Sequence, residues 1–454
     1  MWDEILASIG PEPAQISLEE YRARQNRLLN QLRPDDLLII PNPAHSTRSN
    51  DVEYPYRTSS DMIYLCGWTD LDSTMVAQQV NGAWEVTLFV QPKDVLSEIW
   101  EGRRLGKEGA LENFAIDRAE SKDDLEIVLI DMINSSKRIL VKSAVDTTID
   151  EIVNNCITAQ SRDRQKLGIG PISVEDPSGR ISELRLRKSA AEIDLMRYSA
   201  VVASHAHIEA MKNTKPGVGE WQLEGIIEGF FKYGKTSGIA YPCIIGSGDN
   251  ATILHYTVND DICEDGEILL IDAGCEYKGY ASDITRSWPV NGKFSTSQAE
   301  IYQIVLDSQL AAIDACRIGN PYDLPHEIAR GVLAQGLIDL GVISQNLEEA
   351  LDPTDGELRF WYMHNTGHWI GLDVHDVGVY RPDNEPRLLE EGMVLTVEPG
   401  LYFGAWRPDV NCPEKYANIG IRIEDDILVT KDGPDVLSKN CPKTIEELEG
   451  IIGE

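Results

Sequence analysis

The stretch LLIDAGCEYKGYASDIT, Leu269 to Thr285, runs like a buried strand, yet it carries Asp272 at its end and Asp283 eleven residues later. Burying one carboxylate is costly and burying two side by side is worse, so something must balance them. A hairpin turning on Tyr277-Lys278 would set Asp272 directly opposite Asp283, with Cβ atoms roughly 4.5 to 5.5 Å apart. Turning on Lys278-Gly279 would make them diagonal neighbours. Both turns preserve strand parity, so in either case the two acids share a face. The preceding run Glu267-Ile268-Leu269-Leu270-Ile271 argues against an open edge in water. A divalent cation would resolve the repulsion. Alone, the stretch would read as two solvent-facing acids on an ordinary hairpin.

It is not alone. MHNTGHWIGLDVHDVG, Met363 to Gly378, places His364, His368 and His375 within twelve residues of a chain that has 8 histidines. The spacing of His364 and His368 matches a zinc-binding HExxH helix, but Asn365 replaces the glutamate and Gly367 and Gly371 oppose a helix. In an extended segment residues four apart still share a face, so one histidine can bind metal while another meets substrate. GMVLTVEPGLYF leaves Glu398 at a strand end, because Pro399 stops the ladder. In GIRIEDDILVT, Ile421 and Ile423 alternate with Arg422 and Glu424, which therefore share the opposite face. The set Asp272, Asp283, His368, Glu398 and Glu424 holds four carboxylates and one imidazole, whose charge two divalent ions would match. Oxygen-rich ligation without thiolate favours manganese, with cobalt or zinc as alternatives. Such a pair polarises a carbonyl and lowers the pKa of a shared water, the machinery of metal-assisted hydrolysis.

Composition sets the outer bounds. The 454 residues exceed one typical domain, and 42% apolar with 26% charged residues describes a folded, soluble chain. With 41 Lys plus Arg against 75 Asp plus Glu, the formal charge of -34 repels nucleic acid and anionic membranes. The start MWDEILASIGPEP has acids where a signal peptide needs basic and then apolar residues, and no run reaches membrane-spanning length. The 8 cysteines form no CxxC pair, which points to free thiols in a reducing cytoplasm.

The chain reads as α/β (α+β) in two domains, 1–180 and 181–454. The first is mixed: a helix at SLEEYRARQNRLLNQL, strands at DLLIIP and RILVKSAV, and a hairpin turning on Asn81-Gly82. The loop-to-helix change in VEDPSGRISELRLRKSAAEI marks the boundary near residue 180. Beyond it, Ser189 with Glu192 and Ser297 with Glu300 predict capping boxes 108 residues apart. A Pro-containing turn, a second helix and strands follow each, predicting a duplication packed around a shared sheet. GSGDNA at Gly246 fits a dinucleotide fingerprint, but TILHYTV after it reads as a strand rather than a helix, and nucleotide binding is rejected. That strand would carry His255. His205 and His207 fall on different helix faces and read as structural.

LLIDAGCEYKGYASDITRSWPVNGKF, GHWIGLDVHDVG, VLTVEPGLY and GIRIEDD resemble the metal-binding segments of the Xaa-Pro aminopeptidases, or aminopeptidase P. TRSNDVEYPYRTSSDMIYLCGW and EIWEGRRLG resemble that family's N-terminal domain, so the likeness spans nearly the whole chain. The residues before about 15 and FGAWRPDVNCPEKYANI are more individual. The resemblance implies a C-terminal pita-bread (creatinase/aminopeptidase-like) catalytic domain with a pseudo-twofold repeat, and two Mn2+ ions. Asp272 would chelate one ion, His368 and Glu398 the other, and Asp283 and Glu424 would bridge. A hydroxide between the metals would attack the substrate carbonyl, with Glu398 shuttling a proton. His255, His364 and His375 would position the peptide and stabilise the tetrahedral intermediate, and Arg422 and Tyr402 would stand behind the ligands or in the pocket. The substrates implied are peptides with proline at the second position, and the assembly implied is a homodimer or homotetramer in which Trp100 could reach a neighbouring cleft. Without that contact, Trp100 would read as a core residue. The rivals are a prolidase or related organophosphorus hydrolase, and a metal-free binding protein on the same fold.

Overall fold

The computed structural model describes residues 9–452. The acidic start, residues 1–8, lies outside the described residues. The chain divides into two units, Ile16–Arg185 and Leu186–Glu454, the latter together with the segment up to Gln15.

In the first unit, the Ser17 hydroxyl accepts from the Glu20 N–H and starts helix α1, Leu18–Leu29. Six of the strands that follow build its sheet: β1 Asp36–Pro41, β2 Thr74–Val80, β3 Ala83–Val90, β4 Arg118–Ser121, β5 Arg138–Val141 and β6 Ser173–Glu175. They form one mixed sheet in the order β4-β3-β2-β1-β5-β6. The β2–β3 hairpin turns on Asn81 (φ 55°) and Gly82 (φ 83°), the left-handed pair that a two-residue turn requires. Leu37, Ile39, Val76, Phe89 and Ile139 bury one sheet face under helices α2 (Leu125–Ser135) and α3 (Thr147–Ala159). Trp100 is not a core residue. It is 88% exposed on the helix Val95–Glu101, beside exposed Val95, Leu96 and Ile99.

The second unit is built twice. Helices α4 (Ala190–Asn213) and α5 (Glu220–Tyr233) precede strands β7 (Gly238–Ile239), β8 (Ile244–Ser247), β9 (Ile268–Asp272), β10 (Cys275–Tyr277), β11 (Tyr280–Ala281) and β12 (Thr285–Pro289). Helices α6 (Thr296–Asp314) and α7 (Leu324–Asp339) precede β13 (Val394–Val397), β14 (Gly400–Tyr402), β15 (Gly420–Arg422), β16 (Asp425–Thr430) and β17 (Gly433–Val436). Rather than one shared sheet, each half carries its own antiparallel three-stranded sheet, β8-β9-β12 and β13-β16-β17. The halves meet where the Glu424 N–H donates to the Thr285 carbonyl (3.0 Å) and the Ser287 hydroxyl to the Arg422 carbonyl (3.1 Å).

The capping box Ser189–Glu192 opens α4. The second box falls two residues before the predicted one. Ser295 and Gln298 cap α6 reciprocally, while Glu300 accepts from Lys415 and Tyr416 on the surface. Buried His207 hydrogen-bonds the Ala203 carbonyl, and burial lowers its pKa to about 4, in keeping with a structural role.

Candidate metal and active site

The hairpin takes the second of its two readings. Tyr277 pairs with Tyr280, so the turn is Lys278-Gly279, at φ 53° and 89°. The same register holds back to Asp272 opposite Thr285, which makes Asp272 and Asp283 diagonal neighbours on one face. Both are buried, at 8% and 5% exposure. The Tyr241 hydroxyl joins them, 2.7 Å from Asp272 Oδ1 and 2.5 Å from Asp283 Oδ1.

The histidine-rich segment is irregular and not helical. His368 Nδ1 lies 3.0 Å from the Trp369 carbonyl, a bond that fixes Nδ1 as donor and turns Nε2 inward. Nε2 stands 3.4 Å from Asp283 Oδ2 and 3.8 Å from Glu398 Oε1. Glu398 follows β13, just ahead of Pro399, and is held by its N–H to the Thr366 carbonyl (2.7 Å). Glu424 fills the turn between β15 and β16, 2% exposed, and accepts from the Thr285 hydroxyl at 2.7 Å.

These side chains line one cavity of about 520 Å³, together with His255, His364, His375 and Arg422. Tyr402 stands behind the cavity wall. Arg422 donates to Asp272 Oδ2 (2.6 Å) and to the Tyr402 hydroxyl (3.0 Å), which meets His364 Nε2 at 2.8 Å. His364 Nδ1 faces the Asn365 carbonyl at 2.8 Å, so the ring is a neutral acceptor at Nε2. Burial, and then Arg422, lower its pKa to about 3. His255 sits on an exposed loop after a 3-10 turn at Gly248–Thr252, not on the predicted strand. Gly246 is followed by that short 3-10 turn and not by the α-helix a dinucleotide fingerprint requires.

The electrostatics are lopsided. Burial, reinforced by the neighbouring acids, pushes Glu424 well above the usual carboxylate range and raises Asp283. Glu398 reaches about 7, burial outweighing His368 and Arg422. Burial works against a charged His368 as well, yet the Asp283 hydrogen bond and the charges of Asp283 and Glu398 carry it to about 9. Ligand atoms of Asp283, His368 and Glu424 all lie within 4.8 Å of one another. Four acids crowded against one guanidinium and one imidazole fit a cation site, and the oxygen-plus-nitrogen donor set suits hard divalent ions.

Three participants carry no local sequence signal as strong as the acids. Tyr241 lies 31 and 42 positions from the aspartates it joins. Asp426 accepts from the Asp283 N–H at 3.2 Å. Thr285 could have been found, because it shares the face of Asp283 two residues on.

Residues 194–431 match the model of Metallopeptidase family M24, and residues 21–141 match that of the Aminopeptidase P N-terminal domain. Xaa-Pro aminopeptidase of Escherichia coli is 38% identical over 441 residues, covering 97% of this chain and 98% of that protein. Intermediate cleaving peptidase 55 of Arabidopsis thaliana mitochondria is 34% identical, covering 96% and 83%. The aminopeptidase PepP structure from Pseudomonas aeruginosa superposes with a TM-score of 0.92 at 37% identity, over 96% of this chain and 98% of that one. Aminopeptidase P from E. coli with the inhibitor Pro-Leu gives 0.91 at 38% identity, over 96% and 98%. The duplicated unit is thus the pita-bread fold, and the chain belongs to metallopeptidase family M24, among the Xaa-Pro aminopeptidases.

Proposed function

We propose that this enzyme removes the N-terminal residue from peptides whose second residue is proline, using two divalent ions, Mn2+ in preference to Co2+ or Zn2+. The observation that carries this reading is the cluster of four acids and one imidazole in a single cavity. Asp272 would hold one ion, His368 and Glu398 the other, with Asp283 and Glu424 shared between them. Bound there, the ions would activate a water and polarise the scissile carbonyl. Glu398 would move a proton between that water and the leaving nitrogen. Neutral His364, held by Tyr402 and Arg422, and the exposed-rim His255 and His375 would orient the peptide and stabilise the tetrahedral oxygen.

Proline presents a tertiary amide without an N–H, so the site must grip the ring rather than the backbone. Ile244, Leu254, Pro242 and Val374 give the cavity an apolar wall that supports this preference. Residues 181–454 would then be the catalytic domain and 1–180 the N-terminal domain. All eight cysteines are free thiols, which supports a cytoplasmic setting, and no helix among the described residues is long and apolar enough to cross a membrane. The exposed Val95, Leu96, Ile99 and Trp100 would be covered in a homodimer or homotetramer.

The test is hydrolysis of Arg-Pro-Pro and of Ala-Pro after chelation and readdition of Mn2+. Manganese-dependent release of arginine from the tripeptide is the expected result. Cleavage of the dipeptide alone would make the enzyme a prolidase, and no cleavage of either by the metal-loaded protein would refute the reading.

A further inference from the structure

His255 poses a problem of placement. It projects from the arc between Ser247 and Asp261, which opens with the 3-10 turn Gly248–Thr252 and closes where the Glu220 N–H donates to the Asp261 carbonyl (2.9 Å). One buried side chain ties both ends. Glu220, the first residue of α5, is fully buried, and its two carboxylate oxygens gather donors from both ends of the arc. Oε1 accepts from the Ser247 N–H (2.8 Å) and from Asn250 Nδ2 (3.3 Å), before His255. Oε2 accepts from the Tyr256 hydroxyl (2.9 Å) and from the Asp261 N–H (3.0 Å), after it. Buried Asn259 adds a second tie, bridging the Ile245 N–H and the Cys243 carbonyl at 3.0 Å each.

From this geometry we infer that Glu220 is a positioning residue for His255, the carboxylate knot that closes the arc and sets where the imidazole meets the peptide. The inference rests on the role proposed above for His255. A carboxylate is required by the donor pattern: each oxygen faces a backbone N–H, which cannot reverse its polarity. An amide in its place must turn its NH2 group toward one of those N–H donors, whichever way it lies. Glu220→Gln therefore keeps the volume and breaks one of the two side-chain bonds to the backbone of the arc, while the Glu220 N–H keeps its bond to the Asp261 carbonyl.

The experiment is a double-mutant cycle on the manganese-loaded full chain with Arg-Pro-Pro, with bound manganese measured on each variant. His255→Ala and Glu220→Gln should each lower kcat/KM, by about tenfold to a hundredfold for a misplacement of about 1 Å. The combined variant should be no slower than His255→Ala, and Glu220→Gln should keep the wild-type manganese content. Tyr256→Phe, which removes one of the four donors and leaves the buried acid in place, should show a smaller loss that also vanishes in the His255→Ala background. Losses that multiply, a Glu220→Gln enzyme as fast as wild type, or one that sheds its manganese would each overturn the inference. A His255→Ala enzyme as fast as wild type would end the role of His255 and this inference with it. A wild-type enzyme without manganese-dependent hydrolysis would instead refute the proposed function from which the inference starts.

Discussion

Glu424 and Asp425 are consecutive, both buried, and opposite in fate. Asp425 faces away from the cavity into a cluster that supplies its own cations. Arg286 Nη2 sits 2.7 Å from Oδ1, Lys443 Nζ 2.7 Å from Oδ2, and Gln309 and Ser438 donate as well. Arg286 spends its remaining donors on the carbonyls of Thr285, Glu424, Cys441 and Pro442. Burial alone would raise Asp425, but Arg286 and Lys443 outweigh it and hold the carboxyl well below its usual range. Glu424, one residue earlier, turns its carboxylate into four-acid territory where Arg422 only partly offsets the repulsion, and it is pushed the other way. The first cluster is complete as folded. The second has an excess of negative charge that only something from outside can neutralise, and that difference separates a structural ion network from a metal site.

The largest effect that would sharpen this contrast is on activity. Asp283→Asn should lower kcat/KM by about a thousandfold or more, since on the proposed assignment it removes a ligand shared by both ions, with the far-UV circular dichroism unchanged. Full turnover by that variant would remove the metal assignment. In stability the two clusters should behave oppositely. Asp425→Asn strands Arg286 and should cost about 3 to 5 kcal/mol in denaturant melts. Glu424→Gln in the metal-free protein should cost nothing or stabilise, because it relieves a repulsion rather than breaking a pair.

The pH dependence of the metal-free protein follows from the same excess. A group whose folded pKa is raised stabilises the fold below its unfolded value, and that stabilisation is lost as pH rises through the folded one. Glu398, raised from 4.5 to about 7, loses its contribution between those values, and His368, raised from 6.5 to about 9, loses its own between 6.5 and 9, so the metal-free Tm should fall from pH 6.5 to 9. His364, lowered to about 3, acts in the other direction but only below about 6.5, its unfolded value. Saturating Mn2+ should flatten the profile and raise Tm, adding about 2.7 kcal/mol to the unfolding free energy at a hundredfold excess over Kd. The smallest expected change is Tyr241→Phe, which leaves both aspartates and removes the hydroxyl between them. Its manganese affinity should drop by about tenfold, read by equilibrium dialysis.

Much of this site was legible because the fold places acids by simple parity. Asp272 and Asp283 share a face under either hairpin turn, and the strand-end position of Glu398 follows from Pro399. The choice between the turns was not legible, since Tyr277-Lys278 and Lys278-Gly279 both satisfy the pattern; the left-handed φ angles fall on Lys278 and Gly279. His255 was misplaced for a different reason. TILHYTV has the composition of a strand, but the chain leaves β8 through the 3-10 turn Gly248–Thr252, and Glu220 and Asn259 tie the backbone at Ile245, Ser247 and Asp261, on either side of that stretch. The shift of the second cap from Ser297 to Ser295 reflects two overlapping Ser-x-x-Glu/Gln patterns in FSTSQAEI, of which the earlier one wins. Tyr241 reaches the site only through tertiary packing, and nothing in its local sequence announces it, whereas Asp426, two residues after Glu424, was open to the same parity argument as Thr285.

The most direct test of the central claim is the number of manganese ions bound per chain, measured on chelator-stripped protein by equilibrium dialysis across a range of Mn2+ concentrations. The excess of acids in the cavity predicts two ions in the wild type and fewer in Glu424→Gln, with Asp425→Asn affecting the melt far more than the count. A wild-type chain that binds no manganese, or a Glu424→Gln chain that still binds two with undiminished affinity, would contradict it.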